Sequence, residues 1–196
     1  MPDDARDDTD AYVKFTNLAT STPEDWVLMY ADHDRDREHL ADNLLRTLAG
    51  MTGGSPPAPV DHLTHMLQTA TRAQRAGADE ETVVMALLHD IGDELAPDNH
   101  GEYAAAILRP YVSEENLWVA RMHPVFQGYH FFDKIGLDKD MRERYRGHPA
   151  FEACCRFCDD WDQEAFDPGY DTLPLEAFAP MVRNIFGQEP RTWFDD

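Results

Sequence analysis

An all-α fold is what this sequence predicts, on three observations. Apolar residues recur at helical spacing through most of the chain. Capping residues open those stretches, and glycine or proline closes them. Runs with strand-like alternation are weak. The 196 residues read as one domain with an N-terminal arm, long enough to bury a full core. We divide the chain into an acidic segment and helical arm over 1–50, a Gly/Pro loop over 51–59 and a helical domain over 60–196.

Residues 1–20 are polar and Asp-rich and read as loose. Thr22 then caps a helix. Pro23 sits at its first position, and Glu24 and Asp25 place negative charge where the helix dipole favours it. The helix runs to Leu48 with a break around Asp32–Asp36, and Gly50 stops it. Gly-rich and Pro-rich residues up to Pro59 form the loop. A second helix covers 60–76 and ends at Gly77. Asp79 caps the next, which carries the apolar run Val83–Leu88 to about Ile91 and stops at Gly92. Asp98 or Asn99 caps a helix that ends before Pro110. Ser113 caps another that runs into His123-Pro124. A further helix spans about Pro149 to Ala165. A Pro-containing loop over 168–180 leads to a short helix near 180–186. There is no internal repeat and no low-complexity segment.

The formal net charge is −21, which repels a polyanion and argues against nucleic acid as a partner. No apolar run approaches the ~18 residues of a membrane span. The acidic start, Met1-Pro2-Asp3-Asp4, lacks a signal-peptide pattern, and three cysteines, an odd number, fit a reducing cytoplasm rather than a disulfide framework. Nothing in the sequence sets an oligomeric state.

The chemistry centres on His89-Asp90, closing an apolar helix. Ionisable neighbours in such a place are costly unless compensated. A divalent metal compensates them, since imidazole and carboxylate are both metal ligands. On the helix over 149–165, Phe151, Cys154, Cys155, Cys158, Trp161 and Ala165 form the apolar stripe. At roughly 100° per residue, Asp162 falls inside that stripe, Asp159 at its edge and Asp160 away from it. A buried Asp162 paired with an arginine or a backbone group is as good a reading as a metal ligand. His65 lies opposite the apolar residues Val60, Leu63, Leu67 and Ala70, so periodicity places it on a solvated face, unless that polar face lines a cavity. His100 and His123, taken singly, read as surface or satisfied core histidines. Taken together, successive helices each supply one ligand type, as helical-bundle metal sites do. His33, His39, His62, His130 and His148 read as ordinary histidines, although His62 can stand behind the ligands. Cys155-Arg156-Phe157-Cys158 lies within a helix and reads as core.

His65, then Leu87-Leu88-His89-Asp90-Ile91-Gly92, then Asp162 resemble the H…HD…D signature of the HD-domain superfamily, over about 60–186. With His100 and His123 between, the order H…HD…H…H…D is similar to the mixed-valent diiron oxygenases of that superfamily. Those include myo-inositol oxygenase and the phosphonate-cleaving HD oxygenases. The resemblance implies an HD-domain helical bundle holding two iron ions, Fe(II)/Fe(III). His65, His89 and Asp162 hold one, His100 and His123 hold the other, and Asp90 bridges them and is the catalytic carboxylate. It implies O2 and a small hydroxylated molecule as co-substrates, an organophosphonate among the candidates, with cleavage of a C–C or C–P bond. The alternative is a metal-dependent phosphohydrolase using manganese or another divalent metal on the same ligands. A ligand-sensing domain without activity is disfavoured because all six positions are filled.

The chain departs from those oxygenases around the pocket. Asp93 stands where inositol oxygenase has a lysine. Ser55-Pro56-Pro57-Ala58-Pro59 lacks the Tyr and Glu that the phosphonate enzymes carry ahead of the first histidine. Gln127 stands where they have a lysine. Substrate-binding candidates are Arg72, two turns past His65, Tyr103, one turn past His100, and Gln127, Tyr129 and Lys134 after His123. Each has a structural or solvent-facing alternative. An anionic substrate needs local positive charge, for which the metals and Arg72 are the candidates.

Overall fold

The computed structural model describes residues 12–53 and 57–191, and every regular element in them is helical. The first eleven residues, positions 54–56 of the Gly/Pro loop and the last five residues lie outside the described part. Two compact units are present, one ending at Leu40 and the other starting at Ala41. The helix over 40–50, apart from its first residue, lies in the larger unit. Its apolar face, Ala41, Leu44, Leu45 and Leu48, is buried there.

The first unit holds a 3-10 turn, Leu18–Thr20, and helix α1, Pro23–Glu38. Thr22 caps α1 as the sequence predicts. Its hydroxyl accepts from the Asp25 N–H at 3.3 Å, and the Asp25 carboxylate accepts from the Thr22 N–H at 2.8 Å. The helix runs through Asp32–Asp36, where a break is predicted, and the chain leaves it at His39. Arg35 and Arg37 pair with the preceding acids at i,i+3 spacing, which offsets their mutual repulsion.

The larger unit contains α2 (Leu40–Gly50), α3 (His62–Arg75), α4 (Glu80–Leu88), α5 (His100–Leu108), α6 (Glu114–Gln127), α7 (Phe151–Arg156) and α8 (Leu175–Phe186). Asp61, Asp79 and Ser113 cap α3, α4 and α6 through their side-chain oxygens. Asn99 precedes α5 but makes no side-chain capping bond. Helix α4 is the hub. Val83 to Leu88 are all buried, against α3, α6 and α8. One carboxylate oxygen of Glu81 accepts from the Ser113 N–H and hydroxyl and from the Asn116 amide, which locks the start of α6 to α4.

Three boundaries differ from the expectation. Regular helix ends at Leu88, leaving His89 at the cap and turns beyond it. Helix α6 passes through Pro124 to Gln127. The last helix begins at Leu175 and carries Pro180 inside it, because Phe178, Val182, Ile185 and Phe186 bury one continuous face. Helix α7 is short and widens into a single π turn over Phe157–Asp162. Three 3-10 turns fill the stretch after α6: Gly128–His130, Phe132–Ile135 and Lys139–Tyr145. Among the described residues, no helix is long and apolar enough to cross a membrane, and all three cysteines are free thiols.

Candidate metal centre

Helix α3 is buried on its polar side as well as its apolar one. Gln68 and Asp167 exchange two hydrogen bonds, the Thr71 hydroxyl accepts from the Leu173 N–H at 3.1 Å, and Arg72 donates to the Glu164 carbonyl at 2.8 Å. The segment after the π turn is thereby strapped across that face. Gln68, Thr69 and Thr71 are buried beneath it, and His65 is only 6% exposed. The solvated-face reading of His65 is therefore overturned, and the face lines an internal site. Phe166 stacks on its ring at 4.5 Å.

Five further residues converge there from four segments. His89 and Asp90 come from the turn that ends α4. His100 opens α5, His123 lies on α6, and Asp162 closes the π turn. The Nε2 atoms of His65 and His89 are 3.2 Å apart. Asp162 Oδ1 is 3.1 Å from the first and 3.6 Å from the second. Asp90 faces two ways. Its Oδ2 is 3.4 Å from His65 Nε2 and 3.2 Å from His89 Nε2. Its Oδ1 is 3.0 Å from His123 Nε2 and 3.4 Å from His100 Nε2. Among the described residues, two overlapping groups have the donor spacing of a metal site, His65, His89 and Asp162, and His89, Asp90 and His123, and His100 falls in neither.

The imidazole tautomers follow from their outer partners. His65 Nδ1 is 3.1 Å from the Ala165 carbonyl, His89 Nδ1 2.8 Å from that of Ala86, His123 Nδ1 2.7 Å from that of Ala120 and His100 Nδ1 3.2 Å from that of Pro97. A carbonyl can only accept, so these contacts assign the proton to Nδ1 and leave an Nε2 lone pair aimed inward. The acceptors are groups that the helix ladders leave free. Ala86 lies in the last turn of α4, and Pro124 has no N–H to give to Ala120.

Inward lone pairs, two of them 3.2 Å apart, and two carboxylates crowd acceptors at the centre, with the Gln127 amide the one neutral donor among them. Asp162 Oδ2 is buried with no hydrogen-bond partner. Such a cluster needs cations, either protons or metal ions. Without metal the protons fill the role. Burial opposes charge on His65, but Asp162 and Asp90 outweigh it and lift its pKa to about 9. Burial likewise opposes charge on His89, and the Asp90 charge beside it raises that imidazole well above its usual value. Both carboxyls are held well below the carboxylate range by the same imidazoles, despite their burial. The donor chemistry, the tautomers and the unpartnered oxygen all fit divalent metal.

The other candidates scatter. Gln127 reaches the centre, donating to Asp162 Oδ1 at 2.9 Å. Arg72 is engaged by the Glu164 carbonyl and lies 4.0 Å over the Tyr170 ring. Tyr103 packs its ring against Gly92, where an added Cβ would come within 2.9 Å of the ring. Tyr129 is stacked under Arg142 at 3.6 Å, and Lys134 bonds the His130 carbonyl. Asp159 accepts from Arg142 and His130, an anchor for the 3-10 turns that the sequence did not reveal. His62, read as an ordinary histidine with a place behind the ligands, contacts Asp93 at 2.8 Å.

The profile described as HD domain matches residues 63–164, a span that contains all six residues of the cluster. Comparison with curated proteins finds no match.

Proposed function

This chain belongs to the HD domain family, and from that premise we propose that it is an O2-dependent oxygenase with two irons, oxidising and cleaving a small hydroxylated substrate. The family makes it a metal-dependent enzyme. The observation that carries the two-ion reading is the division of Asp90, one oxygen toward His65 and His89 and the other toward His123 and His100. A carboxylate shared in this way offsets the repulsion of two close cations. His65, His89 and Asp162 would hold one ion and His100 and His123 the other.

When bound, two irons supply coordination positions for the substrate hydroxyl and O2 and the electrons for their reaction. The chain does the rest. The Nδ1–H bonds to backbone carbonyls fix the rings of His65, His89 and His123. Gln127 fixes Asp162. The complete burial of His89 and Asp162 keeps water from that side. Asp90 and His100 are the exposed members, at 14% and 19% of their side chains, so substrate approaches over them.

Arg72 is held by the Glu164 carbonyl and over the Tyr170 ring. Any anionic group on the substrate is then met by the ions themselves. Hydroxylated small molecules, organophosphonates among them, are the compounds to screen. The test is iron content and electron paramagnetic resonance of the purified chain, followed by anaerobic substrate addition. Two irons with a mixed-valent signal that substrate perturbs are expected. Manganese or zinc with phosphatase activity on a generic ester overturns the proposal.

A further inference from the structure

The fourth imidazole is held differently from the other three. His65, His89 and His123 are 6%, 0% and 1% exposed, whereas the His100 side chain is 19% exposed. Its Nδ1 contact to a backbone carbonyl, 3.2 Å to Pro97, is the longest of the four. It stands at the first position of α5, behind a run of turns, without a capping side chain from Asn99. Beside that Nδ1 lies a carboxylate, with Asp93 Oδ1 at 3.5 Å. The other oxygen of Asp93 is 2.8 Å from Nδ1 of His62, on the first turn of α3. The Asp93 N–H donates to the Asp90 carbonyl at 3.0 Å, so the same turn carries the shared carboxylate and this outer one.

We propose that Asp93 is a positioning residue that sets His100 for the second ion, and that His62 anchors Asp93 in that place. The role rests on the two-ion reading above. A carboxylate behind an imidazole ligand fixes the ring, keeps the proton on Nδ1 and raises the donor strength of Nε2. Three ligands obtain their orientation from burial and short backbone contacts. His100, on the open side, obtains it from this pair. The start of α3 is thereby tied to the second ion through two side chains that do not touch it.

The test is anaerobic titration of the chelator-stripped full chain with Co(II), read by its ligand-field absorption and by ion content after desalting. It compares wild type, Asp93→Ala, Asp93→Asn and His62→Ala, with circular dichroism to check the fold. Wild type takes two ions. Asp93→Ala is expected to keep the first and to weaken the second ~10–100-fold. Asp93→Asn recovers most of that loss, because its amide oxygen can occupy the place of the carboxylate oxygen beside the His100 ring. His62→Ala weakens the second ion about severalfold and leaves the first unchanged. A second ion bound equally well by Asp93→Ala and wild type overturns this role alone. Equal loss of both ions in Asp93→Ala and Asp93→Asn also overturns it. A wild type that holds a single ion overturns the two-ion reading and this role with it.

Discussion

Because the two oxygens of Asp90 face different imidazole pairs, removing them affects both halves of the centre at once. Asp90→Ala is expected to lose both ions, measured as metal content after desalting, and retention of two contradicts the shared role. Asp162 and Asp159 make the complementary comparison. Asp162 is fully buried with an unpartnered oxygen, whereas Asp159 is partly exposed and pairs with Arg142 and His130. Asp162→Ala should cut ion affinity at least tenfold. Asp159→Ala should leave ion content intact and cost about 1–3 kcal/mol in urea unfolding, by stripping the buried Arg142 of its acceptor. The reverse ranking would place the wrong aspartate in the centre. That Asp162 is the more buried of the two was readable from helical phase alone, since it falls within the apolar stripe. His65 was not. A polar face looks the same in sequence whether water or a strap of distant chain covers it, and the strap here comes from about a hundred residues away.

At the scale of elements, the capped helix starts were legible. Asp61, Asp79 and Ser113 each act on an N–H three residues on, a purely local signal. The π turn and the early start of α8 were not, because both are settled by what the helices pack against. Pro180 reads locally as a start, yet burial of Phe178 and Val182 carries the helix across it. Pro124 has the opposite lesson, since a helix interruption there serves the site. Pro124→Ala supplies an N–H that competes with His123 Nδ1 for the Ala120 carbonyl. The variant should match or exceed wild type in thermal stability without metal, and yet bind the second ion severalfold more weakly. An unchanged second-ion affinity in a Co(II) titration would show that the carbonyl does not need to be free.

For the whole molecule, ions and protons compete for one buried cluster. In the chelator-stripped chain, the raised pKa of His65 makes its protonated form a source of stability. That contribution is complete below the unfolded value near 6.5 and is lost as pH rises through about 9. The lowered pKa values of Asp90 and Asp162 contribute above the unfolded carboxyl value near 3.8 and are lost as pH falls below it. The stripped protein should therefore melt highest between about pH 4 and 6.5 and lose thermal stability from 6.5 to 9. Metal-loaded protein should move the other way over that upper range, because deprotonation favours the ions. At a hundredfold excess of metal over Kd, each ion adds about 2.7 kcal/mol. Differential scanning calorimetry at several pH values checks both trends, and parallel curves for the two forms would refute the shared cluster.

The outer partners of the four imidazoles are peptide carbonyls, those of Ala165, Ala86, Pro97 and Ala120. Amino-acid replacement swaps side chains and leaves peptide oxygens in place. The orientation of the three buried rings, those of His65, His89 and His123, is thus insulated from drift at the residues that brace them, and change is tolerated least at Asp93, whose side chain stands behind the fourth.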